Sequence, residues 1–120
     1  MNRAAWKRKI KTSCESAGTY QPFFDSVIDT LAGILERRDE AEAKFAEDPR
    51  VIVEHTNKGG QTNLEQNPVI RLINDLNRDA LAYWRDLGLT PAGLKKINEG
   101  AMNKNKKESA LEKALKTLGG

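Results

Sequence analysis

The sequence predicts a mainly α fold: a long antiparallel helical hairpin, a small β-hairpin between the two long helices, and short helices flanking them. Two stretches carry the helical part, because each places apolar residues at alternating steps of four and three, the spacing of a helix that lays one stripe against a partner. The segment joining them carries the rest. It is β-branched at its start and centred on Asn57-Lys58-Gly59-Gly60, a turn signal whose residues tolerate positive φ.

Taken in order, residues 3–16 form an expected helix with a narrow apolar stripe, Trp6, Ile10 and Cys14, on a basic cylinder. Ala17-Gly18 ends it, since glycine readily adopts the left-handed conformation of a helix C-terminus. Pro22 suits the first turn of the next helix, where its missing N–H costs nothing. From there Phe24, Ile28, Leu31, Leu35, Arg38, Glu42 and Phe45 keep the heptad to about Glu47, and Val27 and Ile34 widen the stripe. Asp48-Pro49 stops this helix, whose length of about 39 Å is too great for a compact globule of this size.

Val51-Ile52-Val53 reads as a first strand and Gln61 to Leu64 as its return. Two strands alone are marginal, so this hairpin needs support from the helices or from a neighbouring subunit. Asn67 caps and Pro68 opens the second long helix, whose seam is Val69, Ile73, Leu76, Ala80, Tyr83 and Leu87, broadened by Leu72 and Trp84. Gly88 ends it. Thr90-Pro91 repeats the cap-and-proline device before a short helix, Ala92 to Ile97. After Gly100 comes a polar tail, in which Asn105 and Glu108 resemble a capping box. Leu111, Ala114, Leu115 and Leu118 then share one face of a last short helix, which folds only when docked.

A chain of 120 residues is one domain's worth, and its 38% apolar and 31% charged residues allow only a thin core. The expected organisation is a basic N-terminal helix (1–19), a helical-hairpin oligomerisation core (20–98) and a basic C-terminal tail with a short amphipathic helix (99–120). No apolar run is long enough for a membrane span, and no apolar run follows the basic N-terminus as in a secretory signal. With its single Cys14, the chain is expected in a reducing cytoplasm.

Charge is segregated. Residues 1–20 hold five basic residues and one acid; residues 21–94 hold eight basic and thirteen acidic; residues 95–120 hold seven basic and three acidic. An acidic body with two basic ends suggests an anionic polymer as partner.

Nothing in the chain assembles a catalytic site. One His and one Cys are too few for a zinc site, and His55 beside Asn57 lacks the second His of a His-Asn-His nuclease. Gly59-Gly60 is not embedded in a phosphate loop. Asp39, Glu40 and Lys44 read as solvated helix surface. The chain is therefore expected to be no enzyme and to hold no metal or cofactor. A helix-turn-helix over residues 3–16 and 22–35 fails on its second helix, where Phe23, Phe24, Val27, Ile28, Leu31 and Ile34 face a core rather than base edges. Non-specific phosphate contact by lysine and arginine is easier to sustain.

The order of certain features resembles a known family. Gly18-Thr19-Tyr20 precedes a long helix rich in Glu, Arg and Ala; a Val-rich segment and the Asn-Lys-Gly-Gly turn follow. Asn67-Pro68 then opens a helix, and Leu87-Gly88-Leu89-Thr90-Pro91 precedes the next. This arrangement, over roughly residues 17–98, resembles the small terminase subunits of tailed phages and prophages. The resemblance implies a non-catalytic subunit that packs into a homo-oligomeric ring, holds double-stranded viral DNA, and recruits and regulates a large ATPase-nuclease subunit in the host bacterial cytoplasm.

The residues expected to meet DNA are Arg3, Lys7, Arg8, Lys9 and Lys11 at one end, and Lys95, Lys96, Lys104, Lys106 and Lys107 at the other. Leu111, Leu115 and Leu118 are expected to anchor the tail helix in a groove of a partner, the large subunit. The competing reading is a helical adaptor that binds only protein, with the basic ends as solubilising tails.

Overall fold

The computed structural model describes the backbone of residues 1–119 and the side chains of residues 1–100 and 110–116. Its elements are α1 (Arg3–Ala17), a 3-10 turn (Pro22–Phe24), α2 (Asp25–Glu47), β1 (Ile52–Thr56), β2 (Thr62–Gln66), α3 (Pro68–Asp86) and α4 (Pro91–Gly119).

Each helix starts and stops for a local reason. The Asn2 side chain accepts a hydrogen bond from the Ala5 N–H at 2.8 Å, satisfying one orphan donor of α1. At the other end the N–H groups of Gly18 and Thr19 reach back to the carbonyls of Glu15 and Cys14. Asn67 does three things. Its N–H donates to the Val51 carbonyl, its amide donates to the Arg50 carbonyl, and its side-chain oxygen caps α3 through the Val69 N–H at 3.1 Å. It thus closes the base of the β-hairpin and opens α3 in one residue.

The two strands pair antiparallel, with Ile52 opposite Gln66 and Thr56 opposite Thr62. β1 runs three residues further toward the turn than the sequence predicts, whereas β2 starts one residue later and ends two residues further from the turn; Asn57 organises the turn by accepting from the N–H groups of Gly59 and Gln61. Only Val53 in the two strands is even half-buried.

α2 and α3 form the expected antiparallel pair. Ile28, Leu31, Ile34 and Leu35 of α2 join Leu76 and Ala80 of α3 and Leu87, just past its end, in one cluster, with Val27, Tyr83, Trp84 and Leu89 packed around it. The stripe of α1 belongs to the same cluster, so Trp6, Ile10 and Cys14 turn the helix pair into a three-helix core. Burial pushes the Cys14 thiol up in pKa, which keeps it a neutral filler.

Arg38, where the α2 stripe turns polar, ties the three helices together. Its guanidinium donates to Asp39 at 3.1 Å and to Asn77 of α3 at 3.4 Å, and it lies 5.5 Å from the Trp6 ring centroid. Leu72, expected to broaden the seam, is instead 49% exposed.

The C-terminal part differs from expectation. In place of a short helix ending at Ile97, a polar stretch and a second short helix, one helix runs from Pro91 to Gly119. The Asn105–Glu108 pair therefore starts no helix; its side chains lie outside the described residues. An isolated glycine such as Gly100 costs a helix only about 1 kcal/mol, and no proline follows Pro91 to force a break. The chain extends 88 Å along its longest axis with a radius of gyration of 22.8 Å, against about 14 Å for a compact chain of this length.

The seam yields a direct prediction. Leu76, 8% exposed, sits where α3 meets α2. Leu76→Asp buries an unpaired charge and should cost about 3–5 kcal/mol, read as a lowered chemical-denaturation midpoint. A wild-type-like cooperative melt would mean that the seam is misplaced.

Candidate nucleic-acid interface

Helical period decides where the five basic residues of α1 stand. Arg3 and Lys7, four apart, share the flank that faces α2. Arg3 Nε and Nη2 donate to the Asp29 carboxylate at 3.1 and 2.9 Å, and Lys7 Nζ stands 3.5 Å from it. The Arg3 hydrogen bond, working against some desolvation, holds Asp29 below its ordinary pKa. These two cations fasten α1 to α2 and are partly neutralised there.

Arg8, Lys9 and Lys11 are exposed and form no ion pair among the described residues. Lys9 Nζ lies 5.2 Å from the Trp6 ring centroid and Lys11 Nζ 5.1 Å from that of Tyr20. An aromatic face orients an ammonium without cancelling its charge. Lys7, Arg8 and Lys11 also line an open hollow of about 270 Å³ with Asp25 and Ile28.

Lys95 and Lys96 stand in the first turns of α4, and the corner between α3 and α4 sets their position. Gly88 has φ of 73°, and a Cβ there would fall 2.6 Å from Ile97 Cδ1 and 2.9 Å from Thr19 Cγ2. At Gly93 a Cβ would strike the Arg85 carbonyl, so the first turn of α4 sits directly against the end of α3. Thr90 Oγ1 accepts from the Gly93 N–H at 3.1 Å, capping α4. Ser13 of α1 lines a hollow with Trp84, Leu89 and Thr90, so this corner abuts the end of α1.

The fold thus brings the last turns of α1, with Lys11, and the first turns of α4, with Lys95 and Lys96, to one end of the helix bundle. Arg3 and Lys7 stay nearer its middle. Lys95 lies 4.0 Å from Glu99, a loose exposed pair. Lys96 lines a shallow hollow with Arg85 and Asp86. Arg85 escaped the sequence reading because it sits in the acidic middle segment; the Gly93 contact and the shared hollow reveal that its end of α3 adjoins Lys96.

Leu111 and Leu115, on α4, are 62% and 60% exposed. The side chains of Lys104, Lys106, Lys107 and Leu118 lie outside the described residues. His55 is exposed on the β-hairpin, 3.9 Å from Glu65. Among the described residues no three His, Cys, Asp or Glu side chains cluster to hold a metal ion, and no helix is long and apolar enough to cross a membrane.

Two carboxylates of α2 clamp the N-terminal end of α1: Glu36 accepts from the Arg3 backbone N–H at 2.6 Å, and Asp39 takes the larger share. Burial opposes its charge, but hydrogen bonds from the chain's amino group, from Trp6 Nε1 at 2.7 Å and from Arg38 hold Asp39 below its ordinary value of 3.8. A depressed folded-state pKa contributes stability that is fully present above the unfolded value and fades as pH falls through the folded one. Asp39→Asn should therefore lower the melting temperature at pH 7 and flatten its decline below about pH 4. Equal acid slopes in the two proteins would remove Asp39 from the α1 clamp.

The model of one protein family, described as phage terminase, small subunit, matches residues 2–114. No curated protein and no solved structure matches the chain significantly. The matched span takes in α1, the α2–α3 pair, the β-hairpin and most of α4, and on that coverage the chain belongs to the small-subunit family of phage terminases, which acts in phage DNA packaging.

Proposed function

We propose that this chain is a non-catalytic packaging subunit that assembles into a ring, binds viral double-stranded DNA through its basic ends, and recruits and regulates the large ATPase-nuclease subunit. The observation that carries the DNA part is the set of cations without acidic partners among the described residues, Arg8, Lys9 and Lys11, on the helix whose end abuts the corner that opens α4. Arranged around a ring, each subunit's modest phosphate attraction adds to its neighbours', as linked sites do. Nothing at this surface requires base edges, so recognition is expected through phosphates and therefore weak in sequence preference.

Assembly is supported by shape. A chain this elongated leaves flanks of α2 and α3 uncovered, and side-by-side packing of copies is the economical way to cover them. Recruitment is supported by the exposed Leu111 and Leu115 on α4, far along the chain from the core and at helical spacing for a groove.

Arg8→Gln, Lys9→Gln and Lys11→Gln together should weaken binding to unrelated DNA duplexes alike and flatten the salt dependence of log K by about 0.9 for each phosphate that is no longer neutralised. Lys95→Gln with Lys96→Gln should add to that loss. Unchanged binding at low salt in the fivefold variant would move the DNA-binding surface elsewhere. Deleting residues 105–120 should leave oligomer mass and melting temperature unchanged while impairing stimulation of the motor ATPase. An oligomer that dissociates on that deletion would make the tail an assembly strap instead.

A further inference from the structure

Two hollows run along the two sides of the α2–α3 seam, near the end where the β-hairpin attaches. One, of about 430 Å³, is lined by Phe45, Ile70 and Ile73 with Glu42 and Asn74 at its edges. The other lies on the opposite flank, where Ala41, Val69 and Leu76 form the floor and Leu72 stands 49% exposed. The two share no residue. They arise because Leu72 and Ile73, adjacent in sequence, stand about 100° apart on α3, one on each side of the seam marked by Leu76. Helix α1, which covers the first flank higher up, begins level with Asp39 and leaves the first hollow open.

We infer that Leu72 of one copy inserts into the Phe45–Ile70–Ile73 hollow of the next, so that opposite faces of the helix pair meet between copies. The charges agree with this pairing. Leu72 is accompanied on its flank by Arg37, Lys44 and Glu40, a net positive rim, whereas the hollow is edged by Glu42. None of these four charges forms an ion pair among the described residues. A projection and a hollow on different faces cannot satisfy each other within a two-fold dimer through one contact. Such a contact is heterologous, and repeating it generates a ring where the rotation closes. This inference rests on the proposed assembly and names the surface that makes it.

The test uses the full chain at micromolar concentration, with mass measured by light scattering and helicity by circular dichroism. Leu72→Asp spoils the projection, and Asn74→Trp fills the hollow. Both positions are exposed, so each variant should keep wild-type helicity while falling to the monomer mass. Mixed in equal amounts, the two should form a dimer and stop there, because one supplies an intact hollow and the other an intact projection. An assembled wild type whose mass is unchanged by Leu72→Asp overturns the inference while leaving assembly in place. A mixture that stays monomeric overturns the pairing of these two surfaces. A monomeric wild type overturns the assembly reading itself.

Discussion

Between Ile28 and Leu35, α2 buries six of its eight residues, and it can do so only because α1 lies along one side and α3 along another. A single helix facing water hides a third or so of its circumference. Hiding most of it requires two neighbours, and this segment dictates where they lie. Below it the stripe turns polar, and there Arg38 replaces apolar contact by hydrogen bonds to Asp39 and Asn77. The core ends at that polar layer. What remains of α2 and α3 beyond it is a two-helix extension, flanked by open hollows and finished by a β-hairpin with little packing of its own.

The segments that resemble the terminase family are the ones that hold the ends of this bundle. Thr19 is buried, and its methyl lies against Gly88, so Gly18-Thr19-Tyr20 and Leu87-Gly88-Leu89-Thr90-Pro91 meet at one end. Tyr20 adds a hydrogen bond from its hydroxyl to Asp25 at 2.7 Å, fixing the start of α2. Asn67-Pro68 works at the other end, where one asparagine closes the hairpin and caps α3. The motifs are therefore joints between elements, and none of them carries chemistry.

What the sequence shows and what it hides divide along physical lines. The α2 and α3 seams, the Asn67-Pro68 start and the Asn-Lys-Gly-Gly turn were legible because they depend on local spacing and on residues with strong backbone preferences. The docking of α1 was not, because its three-residue stripe could equally have stayed a solvated arm; the decision came from Asp29, Glu36 and Asp39 on α2, whose direction no local pattern gives. The single run of α4 was missed because Gly100 and a cap-like Asn105 read as a break, although neither is strong enough to stop a helix of good formers. Among the candidate contacts, composition could list the cations, but only tertiary structure separates Arg3 and Lys7, held on Asp29, from Arg8, Lys9 and Lys11.

That separation gives the helix bundle a polarity. Toward one end of the bundle Lys11 approaches the corner that opens α4, with Arg8 and Lys9 about a turn nearer the middle; at the other, apolar surface remains uncovered around Phe45, Ile70 and Leu72. In the proposed assembly these ends do different work. Contacts between copies at the hairpin end bury apolar surface, which salt does not weaken, whereas phosphate contacts at the cationic end fall steeply as salt rises. A ring held at one end and charged at the other can therefore release DNA without coming apart, because the two interactions answer to different conditions. Interleaving the same cations with the apolar hollows would have coupled release to disassembly.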